Sequence, residues 1–163
     1  MPTETNAKKY KEYYTQQLKE ATEYQDYICQ KLHTRGIVLQ NMTSKKYQYK
    51  RENLLGLEIK YDKRFADTGR LYIETHEKSN PCNQHYVESG IYRDDHCWLF
   101  GIGDYDVFYI FSKSQLRRLD EARPSWLYIP QPTGTSKGFC VPEAHADIIA
   151  ALRVSLKEIA API

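Results

Sequence analysis

The sequence predicts an α/β (α+β) domain in which a mixed, twisted central sheet is flanked by helices. Three observations carry this reading. Near the N-terminus, a stretch without Gly or Pro has apolar residues at three- and four-residue steps, the period of a helix buried on one side. Two runs between Gly56 and Lys78 alternate apolar and polar residues, the period of half-buried strands. From Cys97 to Ser112 the chain is aromatic and β-branched around a Gly103-Asp104 break, which is the pattern of a hairpin.

The first helix is expected from about Lys8 to Arg35, with a stripe through Tyr14, Leu18, Ala21, Ile28 and Leu32, and Gly36 ends it. Ile37-Val38-Leu39 is an apolar run consistent with a first strand, and Tyr47-Gln48-Tyr49 extends it as a hairpin. Glu52-Asn53 then leads into the alternating runs. Asn80-Pro81 stops the second of these, and Gln84–Glu88 suits a short helix. After the aromatic hairpin, Lys113–Glu121 reads as a brief helix closed before Pro124. Residues 124 to 142 hold four prolines and two glycines, which makes them an irregular connector anchored by Trp126 and Phe139. A last helix is expected from Pro142 to Ala160, burying Ile148, Ile149, Leu152, Leu156 and Ile159.

At 163 residues the chain is long enough for one core and short for two, so residues 1–163 are read as a single domain. An apolar share of 41% with 27% charged residues excludes wholesale disorder. Fourteen tyrosines against five phenylalanines suit plain strand packing first, and also a wet binding surface. A net charge of +2 excludes a strong global field, so local basic clusters carry more information. Cys29, Cys82, Cys97 and Cys140 form no CxxC pair, which argues against a zinc ribbon or redox motif; Cys29 and Cys97 read as small buried hydrophobes. The N-terminus lacks the apolar core of a secretory signal, and no run reaches membrane-span length, so a reducing cytoplasm is the expected location.

The chemistry is expected in GLEIKYDKRFADTGRLYIETHEK, residues 56 to 78. Glu58, Lys60 and Asp62 share one face of the first run. Arg70, Tyr72, Glu74 and His76 share one face of the second. Pairing of the two strands would gather Asp62, Glu74, His76 and Lys60, and two carboxylates from adjacent strands suit a hard cation that takes oxygen ligands. Each residue also has a plainer reading. Asp62 suits a turn opener, Glu58 and Lys60 suit solvated strand charges, and Glu77 and Lys78 suit a strand end. Lys45, Lys46, Lys50, Arg51, Lys63, Arg64, Arg70, Arg117 and Arg118 form a phosphate-attracting rim if they gather at one cleft, and ordinary solvated loops if they do not.

The order of elements, with EIKYD, then TGRLYIE, then SGIYRDDHCWLF, resembles a small phage and bacterial, Holliday junction resolvase-like branch of the PD-(D/E)XK nuclease superfamily over roughly residues 20 to 112. The resemblance implies a restriction-endonuclease-like fold and a magnesium-dependent (or manganese-dependent) DNA endonuclease that hydrolyses phosphodiesters with a metal-activated water. By position, Asp62 and Glu74 become the metal-binding acids. His76 stands where the family places lysine, so Lys60, or else Lys78, becomes the catalytic lysine. Gln25 stands where resolvase-like members carry a helical glutamate, with Glu52, Glu58 or Glu23 as substitutes. DNA is the implied partner, held along its backbone by Lys45, Lys46, Lys63, Arg64 and Arg70, and pairing as a homodimer is a further implication. The rival readings are a nuclease toxin or restriction component, a degenerate member that binds nucleic acid without cutting, and a protein-interaction module built on the tyrosine-rich sheet.

Overall fold

The structure is a computed structural model that describes residues 4–41, 52–127 and 134–157. It divides into two compact units, Met1–Leu39 and Gln40–Ile163. Among the described residues no helix is long and apolar enough to cross a membrane.

The first unit is a single helix, α1 (Glu4–His33). It ends as the sequence predicts. Gly36 takes φ +81°, and the N–H groups of Arg35, Gly36 and Ile37 return to carbonyls of the last turn. Its apolar stripe divides in two. Ile28 and Leu32 are buried, together with Tyr24 outside the expected stripe, whereas Tyr14, Leu18 and Ala21 are exposed. Cys29 is half-buried rather than buried. Ile37–Leu39 form no strand; the pairing that follows is an isolated bridge between Asn41 and Asn53. Tyr47, Gln48 and Tyr49 lie outside the described residues.

The second unit carries two sheets. In chain order its elements are β1 (Leu57–Tyr61), the single-turn α2 (Phe65–Thr68), β2 (Arg70–Glu77), β3 (Val87–Glu88), a 3₁₀ turn at Gly90–Tyr92, β4 (Leu99–Gly103), β5 (Val107–Ser112), α3 (Lys113–Ala122), β6 (Ser136–Pro142), α4 (Glu143–Ile149) and β7 (Leu152–Ser155). A mixed sheet has the order β1-β4-β5-β7, with β1 parallel to β4 and the other pairs antiparallel. An antiparallel sheet has the order β3-β2-β6. The α/β class and the aromatic hairpin are as the sequence predicts.

Further expectations fail. The strands that hold EIKYD and RLYIETHE do not pair with each other; β1 and β2 belong to different sheets. Gln84–Glu88 is no helix, and Val87–Glu88 instead pairs with the end of β2. The last helix stops at Ile149. The chain then returns as β7 along the free edge of β5, leaving Ile148 79% exposed and Leu152 40% exposed, while Val154 and Leu156 are buried. Ile159 lies outside the described residues.

One apolar core joins the sheets. Leu71, Ile73, Phe139 and Val141 come from the three-stranded sheet, Phe100, Ile102, Tyr109 and Phe111 from the mixed one, and Leu116 from α3. Trp126 packs partly buried against this core, as expected of an anchor, and Phe139 sits within it, but Phe139 belongs to strand β6 and residues 136–142 are not the irregular connector that the prolines and glycines suggest. A side chain on the inner face of β1 therefore has to be apolar or fully partnered.

Candidate functional site

Glu58 and Lys60 lie on one face of β1, and Glu58 is not a solvated strand charge, while Lys60 is half-buried. Glu58 has no exposed surface. Its Oε1 lies 2.9 Å from Lys60 Nζ and its Oε2 2.7 Å from Lys113 Nζ, so each carboxylate oxygen meets an ammonium. Lys113, the first residue of α3, is itself only 2% exposed. Its Nζ also donates to Asp95 Oδ1 at 3.1 Å and to the Gly90 carbonyl at 3.0 Å. Asp95 is 2% exposed and accepts the Cys97 N–H at 3.0 Å. Gly90 presents its carbonyl from φ +51°, and a Cβ there would stand 2.2 Å from the Glu74 carbonyl oxygen, so glycine is required.

Glu52 and Asn53 close this cluster along the outer edge of β1. Asn53, fully buried, donates from Nδ2 to Leu57 O at 2.7 Å and accepts Leu57 N–H at 3.0 Å. Glu52 Oε2 accepts Ile59 N–H at 3.3 Å. Two side chains thus take up backbone groups that an edge strand leaves unpaired.

The charges act on one another strongly. Burial pushes the Glu58 carboxyl up, but the ammoniums of Lys60 and Lys113 outweigh it and hold the group below the usual carboxylate range. Glu52 moves the other way, raised by burial and then by the charge of Glu58. Burial works to lower Lys60, yet Glu58 and Glu74 hold its ammonium above the ordinary range. The Arg93 guanidinium is raised despite burial by Glu58, Glu77, Asp95 and Glu52.

Among the described residues, Glu52, Glu58 and Asp95 form a group of possible metal ligands, with one oxygen from each inside a 4.8 Å span. Three carboxylate oxygens fit magnesium or manganese by donor type. Lys60 and Lys113 already pair with Glu58, and Lys113 also with Asp95, so a cation there competes with an ammonium for Glu58.

The acids expected to hold the metal have other hydrogen-bond partners. Asp62 caps the turn after β1: Oδ1 accepts Arg64 N–H at 3.0 Å and Oδ2 accepts Tyr72 N–H at 2.8 Å. This is the turn-opening role that its position already suited. Glu74 accepts the Ser89 hydroxyl at 2.7 Å and the Ser136 hydroxyl at 3.1 Å, and Ser136 in turn meets Tyr72 Oη at 2.9 Å. Neither Asp62 nor Glu74 belongs to the three-carboxylate group. The alternation that would carry His76 onto the Glu74 face is interrupted by a bulge between the two residues. His76 Nδ1 lies 3.0 Å from the Thr75 hydroxyl, and its ring sits beside Tyr92.

Lys78 donates to Pro81 O at 3.2 Å. Gln25 is half-buried on α1, in the first unit. Lys63, Arg64 and Arg70 are exposed around α2, while Lys45, Lys46, Lys50 and Arg51 lie outside the described residues. Asp95, Lys113 and Arg93 escaped the sequence reading as site residues. Asp95 falls in the quoted SGIYRDDHCWLF motif, and Lys113 is a charge that directly follows the apolar run of β5. Comparison with protein-family models, curated sequences and solved structures finds no match.

Proposed function

We propose that the chain is a divalent-metal-dependent endonuclease whose acid-x-lysine element is Glu58-Ile59-Lys60 rather than Glu74-Thr75-His76. The observation that carries this reading is the placement of Glu58 and Lys60 on one strand face, 2.9 Å apart, in a buried cluster with Glu52 and Asp95. Glu58, Glu52 and Asp95 would hold a magnesium or manganese ion. Such an ion supplies a hydroxide near neutral pH and offsets charge on the phosphoryl oxygens.

Lys60 is the member that reaches solvent, with 31% of its side chain exposed. Because Glu58 and Glu74 hold its ammonium above the ordinary range against burial, Lys60 stays charged at neutral pH. It therefore orients the attacking water and a phosphoryl oxygen as a hydrogen-bond donor and does not serve as a general base. Lys113 fixes the positions of Glu58 and Asp95. Asp62 and Glu74 act through the turn and strand that present the site.

Nicking of supercoiled plasmid, with magnesium or manganese and with excess chelator, tests this. Metal-dependent nicking by the parent that is lost in Lys60→Met supports the reading; no nicking with either ion sinks it. One observation favours a second reading, a nucleic-acid-binding module that does not cut: the Lys113 ammonium already satisfies Glu58 and Asp95 without an ion. That reading expects oligonucleotide binding without nicking.

A further inference from the structure

At the end of the three-stranded sheet far along β2 from Arg70, two lysines converge on one aromatic ring. Lys137 Nζ lies 4.1 Å from the centre of the Tyr86 ring and Lys78 Nζ 4.6 Å from it. Adjacent strands fix both backbones: Glu77 pairs with Ser136, His76 with Lys137, and Lys78 N–H donates to Thr135 O at 2.7 Å. The ring's π-electrons attract each ammonium, while the two like charges repel each other.

Among the described residues no carboxylate pairs with either lysine. Lys78 has the Pro81 carbonyl at 3.2 Å. Glu77, the acid beside them, lies 3.4 Å from Arg93, and Glu88 is exposed on β3 opposite His76. Two ammoniums held on one ring, with no carboxylate partner among the described residues, complement the anionic oxygens of a phosphodiester backbone. We propose that Lys78, Tyr86 and Lys137 form a binding site for the phosphate backbone of a nucleic acid, gripped by the lysines with Tyr86 setting their spacing. The proposal rests on the nucleic-acid reading above but not on cleavage.

Fluorescence anisotropy of a labelled oligodeoxynucleotide, in chelator so that no cutting intervenes, measures the site over a series of salt concentrations. The Lys78→Ala/Lys137→Ala variant is compared with the parent and with Lys19→Ala/Lys157→Ala, which removes the same charge at exposed positions elsewhere. For the patch variant we expect affinity about tenfold lower at moderate salt and a log–log salt slope shallower by about 0.9 for each phosphate that the protein no longer neutralises. The control should keep the parent's affinity and slope.

Equal affinity and slope in the patch variant and the parent overturn the proposal, as does an equal loss in the control. A parent that binds no oligonucleotide, or binds only anionic phospholipid vesicles, overturns it too. Binding that depends on the two lysines in a protein that never nicks plasmid sustains the site while removing the endonuclease; nicking with unchanged patch-variant affinity does the reverse.

Discussion

Removing the Lys113 ammonium should cost the fold more than any other single charge deletion in the cluster, and the cost should depend on pH. Lys113→Met keeps the length and apolar stem of the side chain but deprives Glu58 Oε2 and Asp95 of a cation at 2.7 and 3.1 Å. Glu58 and Asp95 are almost fully enclosed, so water cannot replace the missing partner. Breaking a buried pair on one side typically costs about 3–5 kcal/mol. Lys60, still 2.9 Å from Glu58, places the expectation toward the lower end, about 3 kcal/mol at pH 7.

The sign of the pH dependence follows from Glu58. Lys60 and Lys113 hold its folded-state carboxyl below the unfolded value against the push of burial. Its contribution in the parent is therefore present above the unfolded pKa of about 4.3 and lost as pH falls through the folded value. In Lys113→Met the lowering is weakened, so Glu58 protonates at higher pH, and the gap between variant and parent should close toward pH 3. Urea unfolding followed by circular dichroism from pH 3 to 8 measures this gap. A loss below about 1 kcal/mol at pH 7, or a loss that stays constant down to pH 3, would refute the buried-charge reasoning.

Further expectations concern neighbouring groups. Glu52 carries a raised carboxyl, so the stability linked to its neutral form is fully present below the unfolded pKa and lost as pH rises through the folded value. Glu52→Gln keeps an oxygen for the Ile59 N–H, and its midpoint in thermal unfolding should equal or exceed the parent's at pH 7 and match it near pH 3; a clear drop at pH 7 would contradict the assignment. Gly90→Ala forces a Cβ to within 2.2 Å of a backbone oxygen at positive φ, and should cost about 2 kcal/mol or more in urea unfolding. The Cys97 thiol is pushed up to about 11, first by burial, and is 6% exposed. A thiol reagent at pH 8 should therefore label exposed Cys82 quickly and Cys97 only after denaturation; rapid labelling of both would show that Cys97 is not enclosed.

What could be read from the sequence follows the reach of the interactions involved. Helix α1 and the β4–β5 hairpin were legible because their patterns are local and the break at Gly103-Asp104 is a turn signal. The last helix was misread because Ile148, Leu152 and Leu156 also fit a helical period, whereas the open edge of β5 offers backbone partners that no local pattern reports. The shared face of Glu58 and Lys60 was visible from period-two alternation. Their partners were not, since Lys113 reaches Glu58, and Asp95 reaches Lys113, from other parts of the chain, and neither carries a spacing signal. For Asp62, the motif reading and the turn reading competed, and the hydrogen bonds from the Arg64 and Tyr72 amides follow the turn reading. The bulge after Glu74, which interrupts the expected run to His76, leaves no mark in RLYIETHE itself.

The central claim, that Glu58-x-Lys60 and not Asp62 with Glu74 carries the chemistry, is tested most directly by single-turnover plasmid nicking with Glu58→Gln and Asp62→Asn side by side, each corrected for its folded fraction. Glu58→Gln should lose nicking by about a hundredfold or more, while Asp62→Asn, once corrected for folding, stays within a few-fold of the parent. Full activity in Glu58→Gln, with abolished activity in a fully folded Asp62→Asn, would contradict it.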